Sequence, residues 1–206
     1  MPKIVDEQKR RDSIAEAMIA LVAQKGLPAA TFRAVAAERG LSLGAIQHSF
    51  SSYAELERFT LEYLMRRVGE RLDKVGRTIE NDLPPERILS LVEAALEELI
   101  PLDPERGKEA RVWMAFTNAA LNDPSLAELT GKNDRAIDVF CQDCIAQLMN
   151  DQVLPATLDP ALEGKRLHAL LDGLTLFLLA DRSSKTREDA ADILRHHLRC
   201  LAGLPD

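Results

Sequence analysis

Gln47 and His48 stand side by side in a short stretch, LGAIQHSF, at Leu43–Phe50. Both carry donors and acceptors that suit base edges or phosphate oxygens. Cys141 and Cys144 are three apart, so on a helix their sulfurs share a face. Such a pair can be a redox couple or half of a metal site. There is no second CxxC, and none of the four histidines lies near this one in sequence. The cysteines therefore read first as packing, with thiol sensing or helical thiol redox chemistry as the alternative. His168, Asp172 and Thr175 form a spaced polar stripe, and the first two read as packing or interface hydrogen bonders. His196 and His197 are adjacent, so they project ~100° apart on a helix and chelate poorly. The chain has no GxGxxG, P-loop, GxSxG or HExxH. No catalytic site, cofactor or metal is expected.

The elements that position these groups are helical. Leu and Ala supply 32 and 27 of the 206 residues, while Val, Ile and Thr together supply 27. That balance favours helix over sheet. Proline costs ~3 kcal/mol inside a helix, so prolines mark boundaries. Between them, apolar residues recur at helical spacing. Helices are expected at about 6–25, 32–39, 43–50, 52–77, 85–100, 104–122, 124–153, 161–182 and 186–202. The fold class is all-α with about nine helices. An N-terminal three-helix domain, residues 1–52, is expected ahead of a larger helical domain, residues 53–206.

The sharpest local signal is TFRAVAAERGLSLGAIQHSF at Thr31–Phe50. Thr31 and Ser42 are good N-caps. Gly40 permits the positive φ of a tight turn, and Leu41 can plug the corner. Ile46 and Phe50, four apart, point inward. Leu43, Gly44, Gln47 and His48 are left facing outward. A short helix held across another by a glycine turn can enter the major groove of DNA. Gly44 has no side chain to hold a partner's backbone away.

This stretch closely resembles the DNA-binding motif of the TetR family of bacterial transcription regulators. The likeness runs from Gly26 through Thr31, Arg33, Val35-Ala36, Gly40, Ser42, Gly44, Ile46 and Phe50 to Leu56. It implies an all-α homodimeric regulator, most often a repressor released from double-stranded operator DNA by a small-molecule effector. The DNA-contacting positions it implies are Thr31, Arg33, Ser42, Leu43, Gly44, Ala45, Gln47, His48, Ser49 and Tyr53. Several depart from the family pattern. Tyr commonly stands where this chain has Gln47, His or Tyr where it has Ser49, and Lys where it has Tyr53. Those positions mainly hold phosphates. Arg33 and the Lys9-Arg10-Arg11 cluster can compensate, and Leu43 can touch a thymine methyl. A dimeric small-molecule binder that has lost DNA binding is the alternative these departures raise. The body is similar to the BetI-like branch, through RVWMAFTNAAL at Arg111–Leu121, DPSL at Asp123–Leu126 and LLDGLTLFLL at Leu170–Leu179.

Val112–Leu121 is apolar nearly all round, as a helix buried on more than one side would be. Trp113 and Phe116 share a face and, with Thr117, Phe140 and Cys144, are expected to wall an effector pocket. The last two helices are expected to pair with those of a second subunit. Leu170, Gly173, Leu174, Phe177, Leu178, Leu194, Leu198 and Leu201 would form that surface, because alone it would expose too much apolar area.

Charge agrees with this division. The net charge is −7. Residues 1–60 hold eight Lys/Arg against seven Asp/Glu, and residues 61–206 hold 18 against 26. An acidic body repels a polyanion, so nucleic acid is expected only at the N-terminal quarter. No export signal and no membrane span are read, and three cysteines suit a reducing cytoplasm.

Overall fold

The computed structural model describes residues 2–77, 83–181 and 183–204, with side chains from residue 7 onward. Among the described residues there are nine α-helices and no strand. They are α1 (Pro2–Lys25), α2 (Phe32–Arg39), α3 (Leu43–Ser49), α4 (Tyr53–Gly76), α5 (Pro85–Glu97), α6 (Pro104–Ala120), α7 (Pro124–Asn150), α8 (Pro160–Ala180) and α9 (Ser184–Leu201). A short 3-10 turn, Leu27–Ala29, follows α1. Pro85, Pro104, Pro124 and Pro160 each open a helix, where a missing N–H costs nothing. Arg182, expected at the end of α8, lies outside the described residues. No helix among them is long and apolar enough to cross a membrane.

The chain divides into two compact units, Met1–Arg67 with Lys108–Thr130, and Val68–Gly107 with Gly131–Asp206. In the first, one face of α1 is buried: Ile14, Ala17, Met18, Leu21 and Val22. Val35 of α2, Ile46 of α3 and Leu56 and Leu61 of α4 close the same core, together with Val112 and Phe116 of α6. Thr60 is fully buried there, and its hydroxyl donates to the Leu56 carbonyl at 2.8 Å. This satisfies a polar group that would otherwise be costly in the core.

In the second unit, α8 and α9 pack on each other through Leu167, Leu171, Leu174 and Leu178 on one side and Ala190, Leu194 and Leu198 on the other. Cys141, Ile145 and Leu148 of α7 and Leu89 and Leu96 of α5 complete this core. In α5, Leu89, Leu91 and Leu96 are buried, while Ile88 and Val92 are only half-buried. Arg195 of α9 reaches Glu93 of α5 at 2.8 Å.

Two backbone positions shape this unit. Two residues past the end of α7, Gln152 takes a left-handed φ of 59°, with Val153 N–H donating to the Leu148 carbonyl at 2.8 Å. Glycine usually fills that position, because a side chain is strained there. Gly164 brings α8 against the α7 backbone. A Cβ at Gly164 would stand 2.7 Å from Gln142 Cα and 2.8 Å from Gln142 N, too close for backbone that cannot rotate away.

Gly164→Ala is accordingly expected to destabilise the protein by about 1–3 kcal/mol, as overpacking does. Gly69→Ala, a change in α4 that meets nothing within 4 Å, should instead stabilise by up to ~1 kcal/mol. Urea unfolding of the two variants beside the wild type measures the contrast.

Candidate nucleic-acid interface

The α2–turn–α3 segment is built from local signals that agree. Thr31 Oγ1 accepts the Ala34 N–H at 3.2 Å and starts α2. Gly40 stops it at φ 64°, ψ 28°. Gly40 N–H donates to Ala37 O at 3.1 Å and Leu41 N–H to Ala36 O at 2.8 Å. These paired bonds satisfy the last carbonyls of α2 and seat Leu41 against the core. Ser42 Oγ accepts the Ala45 N–H at 3.2 Å and starts α3 two residues after the turn.

Burial of Ile46 and Phe50 sets the rotation of α3. Phe50 packs edge-on to Phe59, with ring centroids 5.4 Å apart. The Arg11 guanidinium lies over both rings, at 4.5 and 4.6 Å from their centroids. Glu55 holds Arg11 at 2.8 Å and also accepts Ser51 N–H and Oγ–H. These bonds hold the Glu55 carboxyl below the usual range. Within the basic cluster, then, Arg11 is a packing residue turned inward. Arg10 pairs with Glu7 and places Nη2 3.1 Å from His48 Nδ1. That link between α1 and α3 was not legible in the sequence, because 38 residues separate its partners.

Leu43, Gly44, Gln47 and His48 are exposed together on α3, and Ala45 is half-buried. Thr31, Arg33 and Ser42 are also exposed. A Cβ at Gly44 would meet only Ser42 Oγ, at 3.9 Å. The chain itself therefore does not require glycine there. Ser49 departs from expectation. It is buried on the inner side of α3, with its hydroxyl unpartnered, because it precedes the Phe50 anchor by one residue. Tyr53 is half-buried, edge-on to Phe32 with centroids 5.7 Å apart.

Tyr53 also lines an open cleft of about 860 Å³ in the same unit, with Thr31, Phe32, Glu57, Asn118 and Asn122. Burial and the neighbouring Glu57 push the Tyr53 phenol up to about 12. Burial and the charge of Asp123 push the Glu57 carboxyl up to about 7. The α6 residues on this cleft are Ala115, Asn118 and Ala119, a different face from the one expected, and Asn122 follows just past the helix. Phe116 is fully buried in the first core, and Trp113 packs against it. The Thr117 hydroxyl is buried without a partner. Phe140 and Cys144 belong to the core of the second unit instead. The expected pocket residues thus divide between two cores, those of α6 in the first and those of α7 in the second, and the apolar Val112–Leu121 stretch gives no phase from which to tell lining from filling.

Cys141 and Cys144 are buried, and burial pushes both thiols up to about 12. They stay protonated and poorly nucleophilic, which removes the support for a reactive thiol pair. The expected pairing surface is also corrected in part. Leu174, Leu178, Leu194 and Leu198 are buried inside their own unit, and Leu170 and Leu201 are half-buried against it. Only Gly173 and Phe177 of that set are exposed. Leu162, Leu176 and Ile193 are exposed as well, at 55%, 54% and 43%.

The profile of the BetI-type transcriptional repressor C-terminal region matches residues 89–203. The transcriptional regulator PksA of Bacillus subtilis is 31% identical over 98% of this chain and 94% of its own length. The chain belongs to the TetR family of transcriptional regulators. Within it, the chain is similar to the BetI regulator of Serratia proteamaculans, at 28% identity over 85% of this chain and 84% of that protein. A crystal structure of a transcriptional regulator from Rhodococcus sp. Rha1 superposes with a TM-score of 0.75 and 29% identity, over 92% of this chain and 96% of that one. The capped α2–turn–α3 segment is thus the helix-turn-helix of a TetR-family regulator.

The Glu57 environment has a measurable consequence. Its folded value of about 7 lies above the ordinary 4.5. Between those values the native state holds a proton that the unfolded chain releases, so this group's contribution falls as pH rises from about 5 to about 7. Glu57→Gln is expected to raise Tm more at pH 8 than at pH 5. An equal gain at both pH values in a calorimetric scan would contradict the assignment.

Proposed function

We propose that this TetR-family chain is a homodimeric repressor whose α3 helices enter successive major grooves of a pseudo-palindromic operator. A small-molecule effector would release it. The observation carrying this reading is the outward face of α3, where Leu43, Gly44, Gln47 and His48 are exposed on a helix whose opposite side is locked by Ile46 and Phe50. Gln47 and His48 would meet base edges or phosphates, and Leu43 a thymine methyl. Arg33, Thr31 and Ser42 would meet phosphates near the ends of α2 and α3, with Ala45 beside them. Tyr53 would flank this surface, and Ser49 would support it from within. Effector release works only through differential affinity for two conformers. α4 contributes residues to both compact units and is the natural carrier of that difference.

Gly44→Ala separates binding from folding. Alanine is a better helix former than glycine by up to about 1 kcal/mol, and less in the first turn where Gly44 stands, so stability should hold or rise. Affinity for duplex from the protein's own upstream region should fall at least tenfold if a phosphate or sugar approaches this position. Fluorescence anisotropy over a salt series reads it, and unchanged affinity in a variant at least as stable would sink the proposed contact face.

Pairing of subunits is proposed through the exposed apolar face of α8 and α9: Leu162, Gly173, Leu176, Phe177 and Ile193. A surface of this kind needs a partner, and twofold pairing is the commonest solution. Phe177→Asp combined with Leu176→Asp is expected to give a folded monomer in sedimentation velocity, with near-native helicity because neither side chain is part of the core. A dimer that survives both changes would place the interface elsewhere.

A further inference from the structure

His168 projects from α8 with only 14% of its side chain exposed. Its Nε2 lies 3.7 Å from Asp134 Oδ1 and 3.9 Å from Asp172 Oδ2, and its Nδ1 lies 3.8 Å from Asp138 Oδ1. Hydrogen bonds of this type span about 2.7–3.2 Å, so none of the three contacts is one. Both ring nitrogens thus look onto carboxylates across gaps too wide for a shared proton. One ligand atom each from Asp134, His168 and Asp172 all lie within 4.8 Å of one another. An ion that sits about 2.0–2.2 Å from each ligand fits such a gap after small side-chain rotations. His168 and Asp172 are four apart on α8, so they share a face. Asp134 comes from α7, the helix whose Gln142 backbone Gly164 holds in close contact with α8.

Behind the ring, Asp138 accepts a hydrogen bond from Gln142 Nε2 at 2.9 Å. In metal-binding histidines a carboxylate that accepts the second ring N–H sets tautomer and ring orientation, and Asp138 stands a shift of about 1 Å from making that bond. The exposed carboxylates, 60% of the side chain for Asp134 and 65% for Asp172, leave an entry path and open coordination positions.

We propose that Asp134, His168 and Asp172 bind a divalent first-row transition ion, with Asp138 orienting the imidazole from the outer sphere. One imidazole and two carboxylates suit Zn²⁺, Co²⁺, Ni²⁺ or Mn²⁺, whereas the all-oxygen shells of Ca²⁺ and Mg²⁺ leave no place for the imidazole. The ion would tie α7 to α8 within one unit. The inference does not rest on the operator-binding reading.

The test titrates chelator-treated full-length protein with CoCl₂ and ZnCl₂. A second metal-prone pair exists, since exposed Cys200 has Sγ 3.3 Å from His196 Nε2. All measurements therefore use a His196→Ala, Cys200→Ser background. One Co²⁺ per chain is expected, with weak visible ligand-field bands and no intense sulfur charge-transfer band, and Zn²⁺ should raise Tm. Asp138→Asn should weaken affinity about 10–100-fold. Asp134→Asn and Asp172→Asn alter exposed groups, so each should abolish tight binding while metal-free Tm and helicity hold. Binding no tighter than millimolar, or stoichiometric binding that survives both of those changes, would overturn the proposal.

Discussion

The orientation of α3 depends on two apolar anchors, Ile46 and Phe50, four residues apart and fully buried. A seven-residue helix is too short to hold itself in water. Its existence and its rotation therefore come from tertiary contacts and from its caps. Phe50 is the stronger anchor, because Phe59 meets its edge and Arg11 covers both rings. The guanidinium keeps its charge partner, Glu55, at the surface end of the stack. Glu55 in turn receives Ser51, just past the end of α3. One cation thus links the first helix, the recognition helix and the start of α4, which fixes which side of α3 remains outside.

Local chemistry made this region legible. Thr31, Gly40 and Ser42 each perform the backbone task that their residue type suggests, and the expected α2 and α3 limits agree with the structure to within one residue. Ser49 was not legible, because the family likeness supplied a role for its position while the helical phase put it beside Phe50 on the inside. Arg11 was ambiguous for a related reason. A run of three basic residues turns in three directions on a helix, and only the long-range rings decide which one is drawn in.

The body was less legible because its helices lack a clear phase. α8 is apolar around most of its circumference, so sequence alone cannot tell Leu174 and Leu178, which face their own core, from Leu176 and Phe177, which face outward. Leu194 and Leu198 of α9 answer α8 within the same chain, and the exposed apolar surface is smaller and shifted toward Leu162 and Ile193. The end of α7 was hidden for another reason. Gln152 holds the left-handed position where a glycine would have signalled the stop. The His168 cluster needs Asp134 from another helix, a juxtaposition no spacing rule contains.

Consistency between local preference and global fold is the usual condition of a folded sequence, and functional surfaces are where it tends to break. Here the break is at Leu43 and Gly44. A large apolar side chain begins an exposed face, and the next residue is the poorest helix former after proline. No described residue approaches Gly44 closely enough to exclude a methyl group. The cost of up to about 1 kcal/mol therefore has no return among the described residues. Close approach of a DNA backbone, as proposed above, would supply a reason for glycine from outside the chain. The exposed face that carries Leu43 and Gly44 is the one to which the family likeness assigns DNA contact.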